Sequence, residues 1–175
     1  MQSRKEVRAF RLDGNLLRML ALSAQRRGIS ENAVVEDVLL RNLKAETLAE
    51  AFDRISFGKE TFRSIIGMTD ANGLEIMGSE RGGKAYSLAR ELSESQGQPL
   101  TFPQYLTEIL GSQGRWFKVE GALVKPEKVT LYHGMGPKWS SFLKSYLASA
   151  YATTSRTGLQ LKGDGDFVSV EYSLS

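Results

Sequence analysis

The first quarter of the chain contains the pattern that most limits its fold, one short strand followed by two short helices. Residues 6–12 alternate as a half-buried strand does. Asp13 then supplies a helix N-cap, and the apolar spacing becomes helical from Leu16. Gly28 ends that helix and Ser30 begins a second one. Such a unit is incomplete alone, because a lone strand leaves its backbone groups unpaired and two short helices bury too little apolar surface.

Pairing of this strand with the same strand of a second copy corrects both deficiencies. It produces a two-stranded antiparallel ribbon and a shared core of four helices, so the sequence predicts an intertwined homodimer. The residues predicted to fill the dimer core are Phe10, Leu12, Leu20 and Val35. A two-stranded ribbon fits the major groove of B-DNA, which makes the same unit a candidate DNA-binding module.

The order and spacing of these elements resemble the ribbon-helix-helix DNA-binding proteins, the family of the Arc and methionine repressors. The resemblance is carried by Arg11, Leu12, Leu20, Ala24, Gly28, Ser30 and Val35. It covers residues 6–44 and implies a dimer that inserts its β-ribbon into the major groove. The alternative is that residues 1–46 are simply the first strand and helices of a larger α+β protein.

The charge of the chain is concentrated in the same segment. Residues 1–46 hold nine basic and six acidic side chains, whereas the basic and acidic side chains of residues 47–175 cancel. The whole formal charge of +3 therefore lies in the first quarter. This asymmetry indicates a polyanionic partner for the N-terminal segment.

The predicted DNA contacts come from the ribbon, from a basic arm before it and from the start of the second helix. They are Arg4, Lys5, Val7, Arg8, Ala9, Arg11, Ser30, Glu31 and Asn32. Arg11 lies on the strand face opposite Phe10 and is expected to reach base edges, whereas Arg8 and the basic arm are expected to reach phosphates. The resemblance implies that the second helix begins on a phosphate. Two features depart from the family: Val7 and Ala9 are apolar where polar side chains are usual, and Glu31 repels phosphate.

The remainder of the chain predicts a small mixed α+β domain. The expected helices cover residues 59–68, 74–94, 103–110 and 137–151, and the expected strands cover 116–124, 129–133, 159–162 and 167–172. The domain organisation is thus 1–46 for DNA binding and dimerisation, and 47–175 for the α+β domain with a helical connector at 47–55. Domains of this size behind a DNA-binding module commonly sense a ligand or add an oligomer interface, and the sequence leaves both open.

No pattern predicts catalysis, a metal or a cofactor. The chain has no cysteine and one histidine, His133, which no motif links to a serine or carboxylate. Gly82, Gly83 and Lys84 lack the rest of a phosphate-binding loop, and the Asp164-Gly-Asp166 segment fits a hairpin turn better than a metal loop. No apolar run is long enough for a membrane span, so the expected location is the cytoplasm.

The leading functional hypothesis is a sequence-specific transcription regulator, a dimeric repressor of double-stranded DNA, with a small-molecule effector left open. One alternative is an antitoxin-like interaction protein whose DNA-binding module controls its own synthesis. A second is an enzyme with a site near His133. Antitoxin tails are usually short and disordered when free, whereas residues 56–175 have the composition of a folded domain.

Overall fold

The computed structural model describes residues 6–51, 57–95, 97–121 and 127–173, except for the side chains of residues 41 and 44–51. The chain divides into two compact units, Met1–Ala49 and Glu50–Ser175. Its helices and its four-stranded antiparallel sheet make it a mixed α+β protein. The expected α+β class is therefore confirmed.

The N-terminal unit is built on two helices, α1 (Gly14–Arg27) and α2 (Glu31–Ala51). The predicted strand at residues 6–12 is not present in the single chain, where residues 6–13 have no regular secondary structure. The physical reason is that a strand is held by hydrogen bonds to a neighbouring strand, and this unit offers no other strand among its described residues. The predicted connector is helical as far as Ala51, and its residues 52–55 lie outside the described residues.

Helices make up the first half of the C-terminal unit. They are α3 (Lys59–Met68), α4 (Ala71–Ser95), the short α5 (Phe102–Gln104) and a π-helix (Tyr105–Gln113). The first two match the prediction closely. The helix predicted at 103–110 is wrong in type and length, because most of it is a π-helix that extends to Gln113.

The second half contains one long helix and the sheet. Strands β1 (Lys118–Glu120) and β2 (Lys128–Tyr132) precede α6 (Pro137–Ala152), and β3 (Gln160–Lys162) and β4 (Phe167–Glu171) follow it. The strand order is β1-β2-β4-β3, with every pair antiparallel. The first strand is shorter than the predicted 116–124, because Gly121, at φ 92°, lies just beyond its end. Residues 122–124 of that prediction lie outside the described residues.

Helices α4 and α6 pack very closely at two glycines of α4. A Cβ on Gly78 would lie 2.6 Å from the Phe142 carbonyl oxygen, and a Cβ on Gly82 would lie 2.0 Å from that of Tyr146. One turn further along, the Ser149 hydroxyl accepts from the Gly83 N–H at 3.0 Å and donates to the Ser79 carbonyl at 2.6 Å. In a regular α-helix the Gly83 N–H would donate directly to the Ser79 carbonyl four residues earlier. The α4–α6 contact is therefore made by backbone as much as by side chains.

Aromatic side chains fill the core beside this contact. Tyr105 and Tyr146 are both buried, and their hydroxyl oxygens are 2.7 Å apart. Burial raises the pKa of both phenols, that of Tyr146 to about 12. The Tyr86 ring meets that of Tyr105 edge to face at 4.9 Å. The inner face of the sheet completes the core with Val129, Leu131, Val168 and Val170.

Candidate functional site

The start of α1 and its connection to α2 have the helix-capping contacts that the sequence predicted. The Asp13 carboxylate accepts from the Asn15 N–H at 2.8 Å and so caps α1. Gly28 adopts the left-handed conformation at φ 62°; its N–H donates to the Gln25 carbonyl at 3.3 Å, and the Ile29 N–H donates to the Ala24 carbonyl at 3.2 Å. These two bonds are those of a Schellman C-cap, which needs glycine at this position. The two helices are thus joined by a tight, fixed turn.

The apolar residues of the N-terminal unit are largely uncovered. Among its described hydrophobic residues only Ala24 and Val34 are fully buried. Large hydrophobic side chains at least one-third exposed are Val7, Phe10, Leu12, Leu16, Leu17, Met19, Leu22, Ile29, Val38, Leu39, Leu40 and Leu43. Of the predicted dimer core, Leu20 and Val35 are half-buried, whereas Phe10 is 76% exposed and Leu12 is exposed. So many exposed large apolar side chains in one small unit are consistent with a core that a partner completes.

The segment predicted to form the ribbon is fully accessible. Val7, Ala9 and Arg11 are all exposed, with Val7 at 97%. The Arg8 guanidinium pairs with the Glu6 carboxylate at 3.0 Å, and both side chains are well exposed. An exposed pair of this kind contributes about 0–1 kcal/mol, so a phosphate could replace Glu6 at little cost. The predicted contacts Arg4 and Lys5 lie outside the described residues.

The start of α2 has the geometry of an anion site, with one opposing charge. The Ser30 hydroxyl accepts from the Ala33 N–H at 3.2 Å, which confirms Ser30 as the N-cap. The N–H groups of Glu31 and Asn32 then belong to the first helical turn, where no intrahelical acceptor exists. Both side chains are exposed. The positive end of the helix favours a phosphate there, and the Glu31 carboxylate opposes it.

An ion pair that the sequence did not predict connects the two helices. Arg27, in the last turn of α1, donates to the Asp37 carboxylate of α2 at 2.7 Å. Both side chains are partly covered, at 40% and 29% exposure. Only the folded turn brings residues ten apart together, so helical spacing gives no signal for this pair. Its effect is to fix the angle between the helices while neutralising one of the basic groups of α1.

His133 lies in a buried hydrogen-bond network at the end of β2. The Met135 N–H donates to Nδ1 at 3.0 Å, so the ring proton must be on Nε2. Nε2 lies 2.9 Å from the Ser140 hydroxyl oxygen, and that hydroxyl donates to the Gly165 carbonyl at 3.1 Å. The proton order is therefore from histidine to serine to carbonyl. A base that activates serine needs the opposite order, with a free lone pair on Nε2.

The charges around His133 do not alter the assignment of its ring proton to Nε2. Burial lowers the pKa of His133 to about 4; the nearby positive charge of Lys59 lowers it as well, and the negative charge of Asp166 opposes the shift. The Asp166 carboxylate accepts from the Gly136 N–H at 3.0 Å, and both ring nitrogens already have other partners. His133 is neutral at pH 7 and joins the end of β2 to α6 and to the β3–β4 loop.

The remaining candidate motifs have structural roles. Gly82 and Gly83 lie inside α4 against α6, and they form no phosphate-binding loop. Asp164 and Asp166 lie between β3 and β4, where the Gly163 backbone has φ 116° and a hairpin turn is formed. The described part of the chain has no cluster of three acidic, histidine or cysteine side chains able to hold a metal ion.

Comparison with protein-family models, with curated proteins and with solved structures finds no match for this chain. Within the described residues, every helix is too short or too polar to cross a membrane.

Proposed function

We propose that the chain is a sequence-specific DNA-binding transcription regulator that acts as a dimer. The observation that carries the proposal is the uncovered apolar surface of the N-terminal unit, from Phe10 and Leu12 in the extended segment to Leu43 in α2. Removal of apolar surface from water is the main driving force of association. A second copy that pairs through residues 6–12 would cover the inward-facing side chains of this surface, such as Phe10 and Leu12.

The extended segment and the two helices support a particular kind of dimer. Two copies of residues 6–12 can pair antiparallel, which would satisfy the backbone groups that the single chain leaves unpaired. Phe10 and Leu12 would then face the four helices of the dimer, on the side opposite Arg11. This is the ribbon-helix-helix arrangement, and the tight turn at Gly28 and the Ser30 cap are consistent with it.

DNA contact would follow from the same arrangement. Each Arg11 would lie on the outer face of the ribbon, where arginine recognises guanine through two hydrogen bonds. Arg8 and the amides at the start of α2 would bind phosphates and set the register of the protein on the duplex. Occupation of a promoter by such a dimer blocks transcription, so we assign a repressor role.

The alternatives receive less support. The C-terminal unit has its own buried core, including Leu106, Leu143 and Leu147, whereas the partner-binding tail of an antitoxin is usually short and disordered when free. The proton order at His133 and Ser140 is unsuited to nucleophilic catalysis. Neither feature favours a second function strongly enough to displace the first.

A mobility-shift experiment on genomic DNA fragments tests the proposal. The full chain should select a subset of fragments, and its affinity should fall steeply with salt because phosphate contacts dominate. Arg11→Ala should lose the preference among fragments while keeping weak, salt-sensitive binding.

Arg81→Ala provides the matched control, since it removes one exposed positive charge from α4 in the C-terminal unit. It should bind as the unaltered chain does. Absence of a shift on every fragment at low salt would refute the proposed function.

A further inference from the structure

The outer face of the sheet is open to solvent and has an unusual composition. Residues that pair across antiparallel strands share a face, and Val129, Leu131, Val168 and Val170 occupy the inner one. The outer face consists of Lys118, Glu120, Lys128, Thr130, Tyr132, Gln160, Lys162, Phe167, Ser169 and Glu171. All are exposed except Thr130 and Ser169, which are half-buried.

Two aromatic side chains stand next to each other on this otherwise polar face. Tyr132 in β2 and Phe167 in β4 are directly paired across the two central strands, with ring centroids 6.1 Å apart. They are 43% and 42% exposed, so each ring is partly available to a ligand. A solvated sheet face is normally polar, and exposed aromatic neighbours of this size are therefore worth a specific explanation.

Lysines flank both rings. Lys118 in β1 pairs across the ladder with Tyr132, and Lys162 in β3 lies diagonal to Phe167 because its own partner is Ser169. Among the strand residues, the row that holds the two rings contains no acidic side chain, whereas the exposed Asp164 and Asp166 lie in the β3–β4 loop beside Phe167. Glu120 lies one row away, diagonal to Tyr132, and Glu171 is 3.8 Å from Lys128 at the far end of the sheet. The two rings thus lie between the strand lysines Lys118 and Lys162, and the acidic side chains near Phe167 are confined to the β3–β4 loop.

We propose that this face binds single-stranded nucleic acid, with unpaired bases stacked on Tyr132 and Phe167 and the backbone phosphates beside Lys118 and Lys162. Stacking requires an accessible π-face on the base. A duplex hides those faces inside the helix, whereas a single strand presents them. The lysines complement the charge of the phosphates, whereas the lysines of a second copy would repel them across the same face.

The experiment measures binding of the full chain to fluorescently labelled single strands by anisotropy. The probes are oligothymidine and oligouridine of about 15 nucleotides, within the site sizes known for single-strand binders, and a duplex of equal length. Tyr132→Leu and Phe167→Leu keep apolar area but remove the π-face. Each should weaken single-strand binding about 5- to 150-fold, which corresponds to ~1–3 kcal/mol per stacked base. Tyr132→Phe should retain the affinity, and Glu120→Gln should increase it.

Two controls separate stacking from other effects. Phe57→Leu changes another exposed aromatic of the same unit, which is 56% exposed, and should leave binding unchanged. Arg11→Ala should reduce the preference for particular duplex sites. It should leave unchanged the factor by which Tyr132→Leu weakens single-strand binding. The two probes distinguish RNA from DNA as the preferred strand.

The proposal is overturned if the unaltered chain does not bind either single strand, or if both leucine variants bind as tightly as it does. Should a leucine variant fail to fold, photo-crosslinking of the unaltered chain to thiouridine-containing strands decides the matter. Crosslinks in the peptides that contain Tyr132 or Phe167 support the assignment, and crosslinks confined to other peptides refute it.

Discussion

Truncation of Phe10 tests the proposed dimer most directly, because this exposed side chain would become buried on the proposed association. Full burial of a phenylalanine side chain is worth about 1.5–3 kcal/mol. Since Phe10 is 76% exposed in the single chain, association can gain about three-quarters of that, or about 1–2 kcal/mol per protomer. The dimer contains two copies, so Phe10→Ala should weaken it by about 2–4 kcal/mol, a rise in the dimer Kd of about 30- to 1,000-fold.

Sedimentation velocity over a range of protein concentrations measures this change. The melting temperature should also depend on concentration, since association stabilises the folded unit. Leu22→Ala is the matched control: Leu22 is 53% exposed, and helical spacing puts it on the side of α1 opposite Leu20 and Ala24. A chain that is monomeric at micromolar concentration would refute the reasoning. So would a Phe10→Ala variant that dimerises as tightly as the unaltered chain.

Three further predictions concern the C-terminal unit. Gly82→Ala should destabilise this unit by about 3 kcal/mol or more, because the new methyl group meets the α6 backbone. In the control Gly67→Ala the new methyl group meets nothing within 4 Å, so that variant should be neutral or mildly stabilising. Thermal melting compares the two variants. Tyr105→Phe should cost about 1–3 kcal/mol in urea unfolding by leaving the Tyr146 hydroxyl unpaired, and the added Tyr146→Phe change should recover part of that loss. The unfolding free energy should fall as pH drops from about 6.5 to about 4, by up to about 3 kcal/mol, since the unfolded chain binds a proton on His133 before the folded chain does. In His133→Gln that part of the pH dependence should be missing.

Local sequence chemistry predicted much of this fold. Helices α3, α4 and α6 were expected within a few residues of their ends, because their apolar stripes and turn residues are local signals. The β3–β4 hairpin and the Ser30 cap were expected for the same reason. These features depend on residues close together in the chain, which a single sequence displays.

Other features have no residue pattern that predicts them. The π-helix is one example: Gly114 N–H bonds to the Ile109 carbonyl five residues back, and no residue pattern announces that spacing. The Tyr132–Phe167 pair is another, since it exists only once the order β1-β2-β4-β3 is known. The strand predicted at residues 6–12 is absent from the single chain, because alternation in the sequence does not supply the neighbouring strand that its hydrogen bonds need.

Sequence recognition by the proposed dimer can be argued from its sparse outer face. With Val7 and Ala9 beside it, Arg11 is the one strong hydrogen-bonding side chain that each ribbon strand would present to bases. A good arginine–guanine contact is worth about 1–3 kcal/mol, so two give about 2–6 kcal/mol.

Specific and non-specific binding typically differ by about 4–10 kcal/mol, and the remainder must come from methyl contacts, DNA shape or a second dimer on an adjacent half-site. We therefore expect a footprint longer than one dimer covers, occupied by dimers that assemble through residues 56–175. Nuclease footprinting measures that length. A short single-dimer footprint whose sequence preference survives Arg11→Ala would show that this ribbon does not recognise DNA through Arg11.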